Sequence, residues 1–160
     1  MKVSSFNGFP SYAEFLVTRL SLLVSDFSPV ELCNLEYTPE RGSSIDPHID
    51  DVWLWGDQLV TINLLDTTIL TLSNSQKKTD GEKAQLEEIQ IPLVRRSLLV
   101  LSSEARYQWQ HAIKRHDIRS RRIAMTLRNL SKEVQNNSAS KSVVQEIQKL
   151  SCSFQGTVVR

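Results

Sequence analysis

The sequence predicts a mainly β fold, a double-stranded β-helix (jelly roll) with flanking N- and C-terminal helices, on three observations. After Pro29 the chain breaks into about eight short apolar runs separated by turn residues, no helical period intervenes between those runs, and helical spacing is confined to the two ends. Short strands in unbroken succession favour two antiparallel sheets over a parallel α/β sheet, because a parallel sheet needs a crossover helix between its strands.

The elements follow in order. Residues 1–28 form an N-terminal helical segment, since Phe15, Leu16, Leu20, Leu23 and Val24 recur at three- and four-residue intervals after Pro10 and Ser11. The jelly-roll core is expected over 29–131, with strands near residues 31–38, 45–51, 58–64, 67–73, 87–91, 97–102, 107–113 and 121–129. Ser73 to Gln85 (SNSQKKTDGEKAQ) has no apolar period and predicts a mobile surface loop over about 73–86. Residues 132–160 read as a polar linker and a C-terminal helix, in which Val143, Val144, Ile147 and Leu150 restore the helical spacing. No internal repeat is visible.

Composition bounds the function classes. At 160 residues, 40% hydrophobic and 23% charged, the chain is an ordinary globular domain, able to bury roughly two-thirds of its unfolded surface without staples. The two cysteines, Cys33 and Cys152, form no C-x-x-C pair and read as free thiols in a reducing compartment, so a cytoplasmic and nuclear location is expected. The apolar run from Phe15 to Val24 is interrupted by Arg19 and preceded by Glu14, which argues against a signal peptide, and no stretch approaches membrane-spanning length. No membrane partner is expected, and a monomer is. A formal net charge of +1 creates no global field that demands a polyanion. Lys114, Arg115, Arg119, Arg121, Arg122 and Arg128 nevertheless crowd into fifteen positions, as a solvated hairpin, a polyanion patch or buried carboxylate-binding arginines.

Chemistry concentrates in Pro47-His48-Ile49-Asp50-Asp51. On a strand, side chains alternate faces, so His48 and Asp50 would project together while Ile49 points the other way. His111 lies in a later predicted strand and would face them across the barrel. Two histidines and one carboxylate on one side of a metal make the facial triad of non-haem iron(II) oxygenases, with open positions for co-substrate and oxygen. H-x-D alone is a short, weak motif: His48 could equally be a polar strand end and His111 a core histidine bonded to backbone. His116, after Lys114 and Arg115 in an expected turn, competes with His111, although its cationic neighbours disfavour a metal there. On Arg122 to Arg128, the residues Ile123, Met125 and Leu127 form an apolar face, and Arg122, Ala124, Thr126 and Arg128 share the other. Two arginines separated by small residues suit a dicarboxylic acid through paired charge-assisted hydrogen bonds; the alternative is an edge strand with a solvated polar face.

His48-x-Asp50, His111, and Arg122 with Arg128 in an R-x-x-x-x-x-R arrangement resemble the AlkB family of iron(II)/2-oxoglutarate dioxygenases. The longer stretches CNLEYTPERGSSIDPHIDDVWLWG, IPLVRRSLLVLS and WQHAIKRHDIRSRRIAMTLRNLS, with the final SFQG, resemble the branch of the fourth animal AlkB homologue over nearly the whole chain. The resemblance implies iron ligation by His48, Asp50 and His111, and binding of the 2-oxoglutarate carboxylates by Arg122 and Arg128 with a contact from Tyr37. It also implies oxidative removal of N-methyl groups with Fe(II), 2-oxoglutarate and O2. The implied substrates are monomethyl-lysine in a protein, actin or actomyosin, and N6-methyladenine in DNA. Three departures stand out. Leu35 replaces the asparagine of the family's N-x-Y motif, Val52 and Trp53 stand where base-repairing relatives carry acidic residues, and only a short helix precedes the first strand where the family carries a substrate lid. Asp51 remains a candidate substrate contact. Trp53, Trp55, Tyr107 and Trp109 could stack on a base, enclose a methylammonium or simply pack the core. An inactive jelly-roll interaction module and a cupin-like metal isomerase are the competing readings, and the isomerase leaves the paired arginines unexplained.

Overall fold

A computed structural model of the protein describes residues 6–76 and 85–157. Helix α1 (Tyr12–Ser21) precedes β1 (Glu31–Tyr37), β2 (Ile45–His48), β3 (Trp55–Leu64), β4 (Thr68–Gln76), β5 (Gln85–Leu93) and β6 (Leu98–Leu101). Then come α2 (Ser103–Tyr107), β7 (Gln110–Ile113), β8 (Arg122–Leu130), α3 (Lys132–Asn136) and α4 (Lys141–Ser151).

Four strands form one sheet in the order β1-β8-β3-β6, and four form a second in the order β2-β7-β4-β5. This order has a simple origin. The pairs β4–β5, β3–β6, β2–β7 and β1–β8 are nested like the rungs of one long antiparallel hairpin. Rolling that hairpin brings β7 beside β4 and β8 beside β3, which is the jelly roll expected from the succession of strands. In the second sheet β4 and β5 pair without interruption from Thr68↔Leu93 to Gln76↔Gln85.

The described residues group into two compact units. One comprises those of Met1–Cys33, Asp51–Leu59 and Leu127–Arg160. Its core is Val30, Leu130, Val134 and Val144, with Leu54, Trp55 and Ile147 packed against it. Ser131 holds this core together at a strand-to-helix junction: its hydroxyl accepts from the Val134 amide, capping α3, and donates to the Trp53 carbonyl at 2.6 Å. The other unit comprises Asn34–Asp50 and Val60–Thr126, and buries Leu70, Leu72, Leu93, Ile113, Ile118 and Met125.

Several boundaries differ from the sequence expectation. The segment 45–51 is strand only to His48. The strand expected at 58 begins at Trp55. The expected loop over 73–86 is shorter, because Ser73–Gln76 and Gln85–Leu86 lie within paired strands; residues 77–84 lie outside the described ones. Polar side chains do not prevent pairing when each backbone N–H and C=O finds its partner across a hairpin. The segment 107–113 is not one strand: Tyr107 ends the single-turn helix α2, and β7 starts at Gln110. The expected linker after residue 132 contains α3. In α1 the stripe is only partly apolar-inward, since Ala13 and Leu20 are buried whereas Phe15 is 66% exposed. Among the described residues no helix is long and apolar enough to cross a membrane.

Candidate metal and co-substrate site

The second sheet brings the two histidines together. β2 and β7 are antiparallel neighbours, and His48 is the cross-strand partner of His111. Directly opposed residues of an antiparallel pair share a face, with Cβ atoms about 5 Å apart. The imidazole centroids accordingly lie 4.2 Å apart. This corrects the expectation that His111 faces His48 across the barrel: the two are side by side within one sheet. Leu72 of β4 is the register partner of His111 on its other side.

Asp50 reaches the same point by another route than simple strand alternation. The ladder between β2 and β7 shifts register between Ile45 and His48, and β2 stops at His48. Pro47, which has no N–H to give a ladder, stands within that irregular stretch. The chain then turns, and an Asp50 carboxylate oxygen comes to 3.2 Å from His48 Nε2. One ligand atom each from His48, Asp50 and His111 lie within 4.8 Å of one another. All three residues are half-buried.

Contacts from Asp46 and Arg106 help to orient this triad. His48 Nδ1 lies 2.8 Å from the Asp46 carbonyl. A carbonyl can only accept, so Nδ1 carries the proton and Nε2 keeps its lone pair for a metal. The guanidinium of Arg106 donates from Nη1 to the Asp50 carbonyl at 3.0 Å. Arg106 is only 2% exposed. It comes from α2, the helix that the sequence reading missed, and its side chain also lies over the Tyr107 ring at 5.1 Å. The signal that could have found α2 is the polar run Ser102-Ser103-Glu104, with a cap-type residue before an acidic first turn.

Arg122, at the start of β8, is buried in the same unit. Its guanidinium carbon lies 4.7 Å above the Tyr37 ring. Its Nε donates to the Asn63 side-chain oxygen at 2.5 Å, while Nη1 is buried with no hydrogen-bond partner. Burial lowers the pKa of Arg122, and Tyr37, which accepts a hydrogen bond from it, pushes the other way. A buried cation with an unpartnered donor is a site for an anion, because an unmade charged hydrogen bond in a dry interior is costly. The solvated edge strand weighed as an alternative does not hold, since β8 lies between β1 and β3 and Arg122 is 2% exposed.

The other sequence candidates sit elsewhere. Arg128 belongs to the first unit, where it pairs with the Glu31 carboxylate and lies over the Trp55 ring at 5.7 Å. His116 lies in a short 3-10 turn, exposed, 3.7 Å from the Asp117 carboxylate. Much of the basic cluster is engaged with acids: Lys114 with Glu88 at 2.8 Å and Arg121 with Glu36 at 2.6 Å. Trp53 and Tyr107 are exposed, and Trp55 and Trp109 are half-buried, so plain core packing does not account for all four.

The residues present fit a divalent metal and a carboxylate co-substrate. Two imidazoles and a carboxylate brought together are the donor set for ferrous iron, and the unpartnered Nη1 of Arg122 matches an oxyanion.

No family model matches the chain. It is 39% identical to the Mus musculus alpha-ketoglutarate-dependent dioxygenase alkB homolog 4 and 40% identical to the Homo sapiens protein of that name, in each case over 99% of this chain and 61% of the relative. It is also 39% identical, over 83% of this chain and 44% of the relative, to a Caenorhabditis elegans DNA N6-methyl adenine demethylase. The chain thus spans about three-fifths of the length of the two mammalian relatives.

Proposed function

We propose that the chain is a member of the AlkB family, whose mammalian representatives it matches over 99% of its length, and that it is an iron(II)- and 2-oxoglutarate-dependent dioxygenase that removes N-methyl groups oxidatively. The observation that supports this reading most directly is the convergence of His48, Asp50 and His111 in the same unit as a buried arginine whose Nη1 has no hydrogen-bond partner.

His48 Nε2, a His111 ring nitrogen and an Asp50 carboxylate oxygen would hold ferrous iron on one side and leave the other open. When bound, iron with 2-oxoglutarate and O2 supplies the oxidation, in which the co-substrate becomes succinate and carbon dioxide and the substrate methyl group leaves as formaldehyde. Asp46 keeps the His48 imidazole in the tautomer that can ligate, and Arg106 tethers the backbone that carries Asp50. Arg122 would bind a carboxylate of 2-oxoglutarate, with Tyr37 packed on its guanidinium face. The role that the resemblance gives Arg128 rests on sequence alone; here its partner is Glu31.

For the substrate we favour N6-methyladenine in DNA. The name of the worm relative supports it, and the exposed Tyr107, in the same unit as the three candidate ligands, offers a ring on which a base could stack. Monomethyl-lysine of a protein such as actin is the second class, carried by the resemblance. We propose a cytoplasmic and nuclear location, the nucleus for action on DNA and the cytoplasm for action on a protein such as actin.

The test is succinate release. Protein purified without oxygen is loaded with iron(II) and 2-oxoglutarate, exposed to oxygen, and given methyladenine DNA or a methyl-lysine peptide, with His111→Ala as control. Succinate above the control, increased by one substrate, establishes the activity and its class. Iron and 2-oxoglutarate binding without turnover leaves the interaction module as the better reading.

A further inference from the structure

We propose that Asn63 is a positioning residue for the co-substrate: its side-chain oxygen holds Arg122 by Nε, so that the Nη edge of the guanidinium is the one presented to a carboxylate. The inference rests on the proposed function, which assigns Arg122 to 2-oxoglutarate.

Asn63 is 1% exposed near the end of β3. Its side-chain Nδ2 lies within hydrogen-bond distance of three backbone carbonyls, which share its two N–H donors: those of Asp66 at 2.8 Å, Leu93 at 2.9 Å and Val94 at 3.0 Å. That ring of acceptors settles the orientation of the amide. Only the NH2 end can face three carbonyls, so the oxygen must face Arg122 Nε. The backbone of Asn63 is tied as firmly: its N–H donates to the Ser97 carbonyl at 2.9 Å, and its carbonyl accepts from the Arg96 amide at 2.7 Å.

The two turns clamped in this way are strained ones. Leu65 (φ 68°) and Arg96 (φ 64°) both lie in the left-handed region, where a branched or long side chain is seldom found. Asn63 therefore stands where the β3–β4 and β5–β6 turns meet, and offers Arg122 an acceptor that cannot rotate away. A guanidinium has five N–H donors in a fixed plane, and pinning one of them sets where the others point. With Nε taken by Asn63, and Tyr37 both under the guanidinium and accepting a hydrogen bond from it, the buried donor left without a partner is Nη1. A neutral amide is suited to this task. It orients the arginine without cancelling its charge, whereas an aspartate would form an internal ion pair and compete with the incoming carboxylate.

The experiment measures 2-oxoglutarate binding by calorimetry to zinc(II)-loaded protein, which cannot turn over, for Asn63→Ala, Asn63→Asp, Arg122→Ala and the double variant Asn63→Ala/Arg122→Ala. Circular dichroism confirms that each is folded, and the zinc affinity is measured alongside. Asn63→Ala is expected to weaken 2-oxoglutarate binding at least about tenfold with zinc affinity unchanged, and Asn63→Asp more strongly. In the Arg122→Ala background, loss of Asn63 should change little further, because its effect passes through the arginine. Variants that bind within twofold of the parent, or a loss that simply adds to that of Arg122→Ala, would overturn the inference while leaving the proposed function intact. Absence of 2-oxoglutarate binding by the unsubstituted protein would instead sink the function itself. Should the Asn63 variants fail to fold, NMR of the unsubstituted zinc protein decides. The Arg122 Nε–H signal should be protected from exchange before and after 2-oxoglutarate is added, with the change confined to Nη; recruitment of Nε by the ligand refutes the proposal.

Discussion

At the scale of single residues, the candidate site depends on polar side chains that are buried and held by backbone groups. Arg106 tethers the backbone carbonyl of Asp50, whose carboxylate is one of the three donors. Contacts of this kind typically change metal affinity by about 10- to 100-fold when removed. Arg106→Met, which keeps the buried aliphatic stem but drops the donors, is therefore expected to weaken iron(II) or zinc(II) binding by roughly that factor, as read by competition with a chelator. Arg106→Lys should not restore it fully, because an ammonium lacks the planar fork. Equal metal affinity in the parent and Arg106→Met would show that Asp50 holds its place unaided.

At the scale of elements, ion pairs pin strands at their exposed ends, and close backbone contacts pin the termini. Glu36 on β1 is bonded by Arg121 and, more distantly, by Arg41. The hydrogen bond and charge of Arg121 hold its carboxyl below the usual 4.5. A depressed folded pKa means that the contribution to stability is present above about pH 4.5 and is lost as pH falls through the folded value. An NMR titration should find the Glu36 midpoint below 4.5 in the parent and raised towards it in Arg121→Ala, or in high salt, since the pair is exposed and screened. The termini are held differently. The Gly156 amide donates to the Phe9 carbonyl at 2.8 Å, and a Cβ on Gly156 would lie 1.7 Å from the Gly8 oxygen. Backbone cannot yield as a flexible side chain does. Gly156→Ala should cost at least about 2 kcal/mol, seen as a melting temperature lower by roughly 4–8 °C. An unchanged melting temperature would mean that the final segment contributes nothing to the fold.

At the scale of the whole molecule, two half-buried histidines, a carboxylate and a buried guanidinium with an unpartnered Nη1 make the folded state one that binding should stabilise. A ligand present at 100 times its Kd adds about 2.7 kcal/mol to a fold that alone binds it. Zinc(II) with 2-oxoglutarate is thus expected to raise the melting temperature by roughly 5–10 °C, a chelator to reverse the shift, and His48→Ala to abolish it. No shift with either ligand would argue that the site does not assemble in solution.

Much of this was legible in the chain, and the divide follows physical lines. Strand succession, the placement of helices at the ends and the candidates His48, Asp50, His111 and Arg122 could be read from short stretches of residue type and spacing, whereas Tyr37 was a candidate only through the family resemblance. The extent of β4 and β5 could not, because Ser73–Gln76 are strand by virtue of partners across a hairpin rather than by their own apolarity. Helix α2 was hidden by Tyr107 at its end and Trp109 just after it, which resemble the start of a strand. The side-by-side pairing of His48 with His111 is a matter of register between strands more than sixty residues apart in sequence. Asn63 and Arg106 carry no signal at all in one dimension, since a polar residue declares a structural role only when burial removes its water and neighbouring elements must supply every hydrogen bond. The sequence alone determined which residues could ligate, bind an anion and alternate along strands; tertiary structure decided which of them meet and which buried amide and guanidinium hold them, because those depend on pairings that no local pattern encodes.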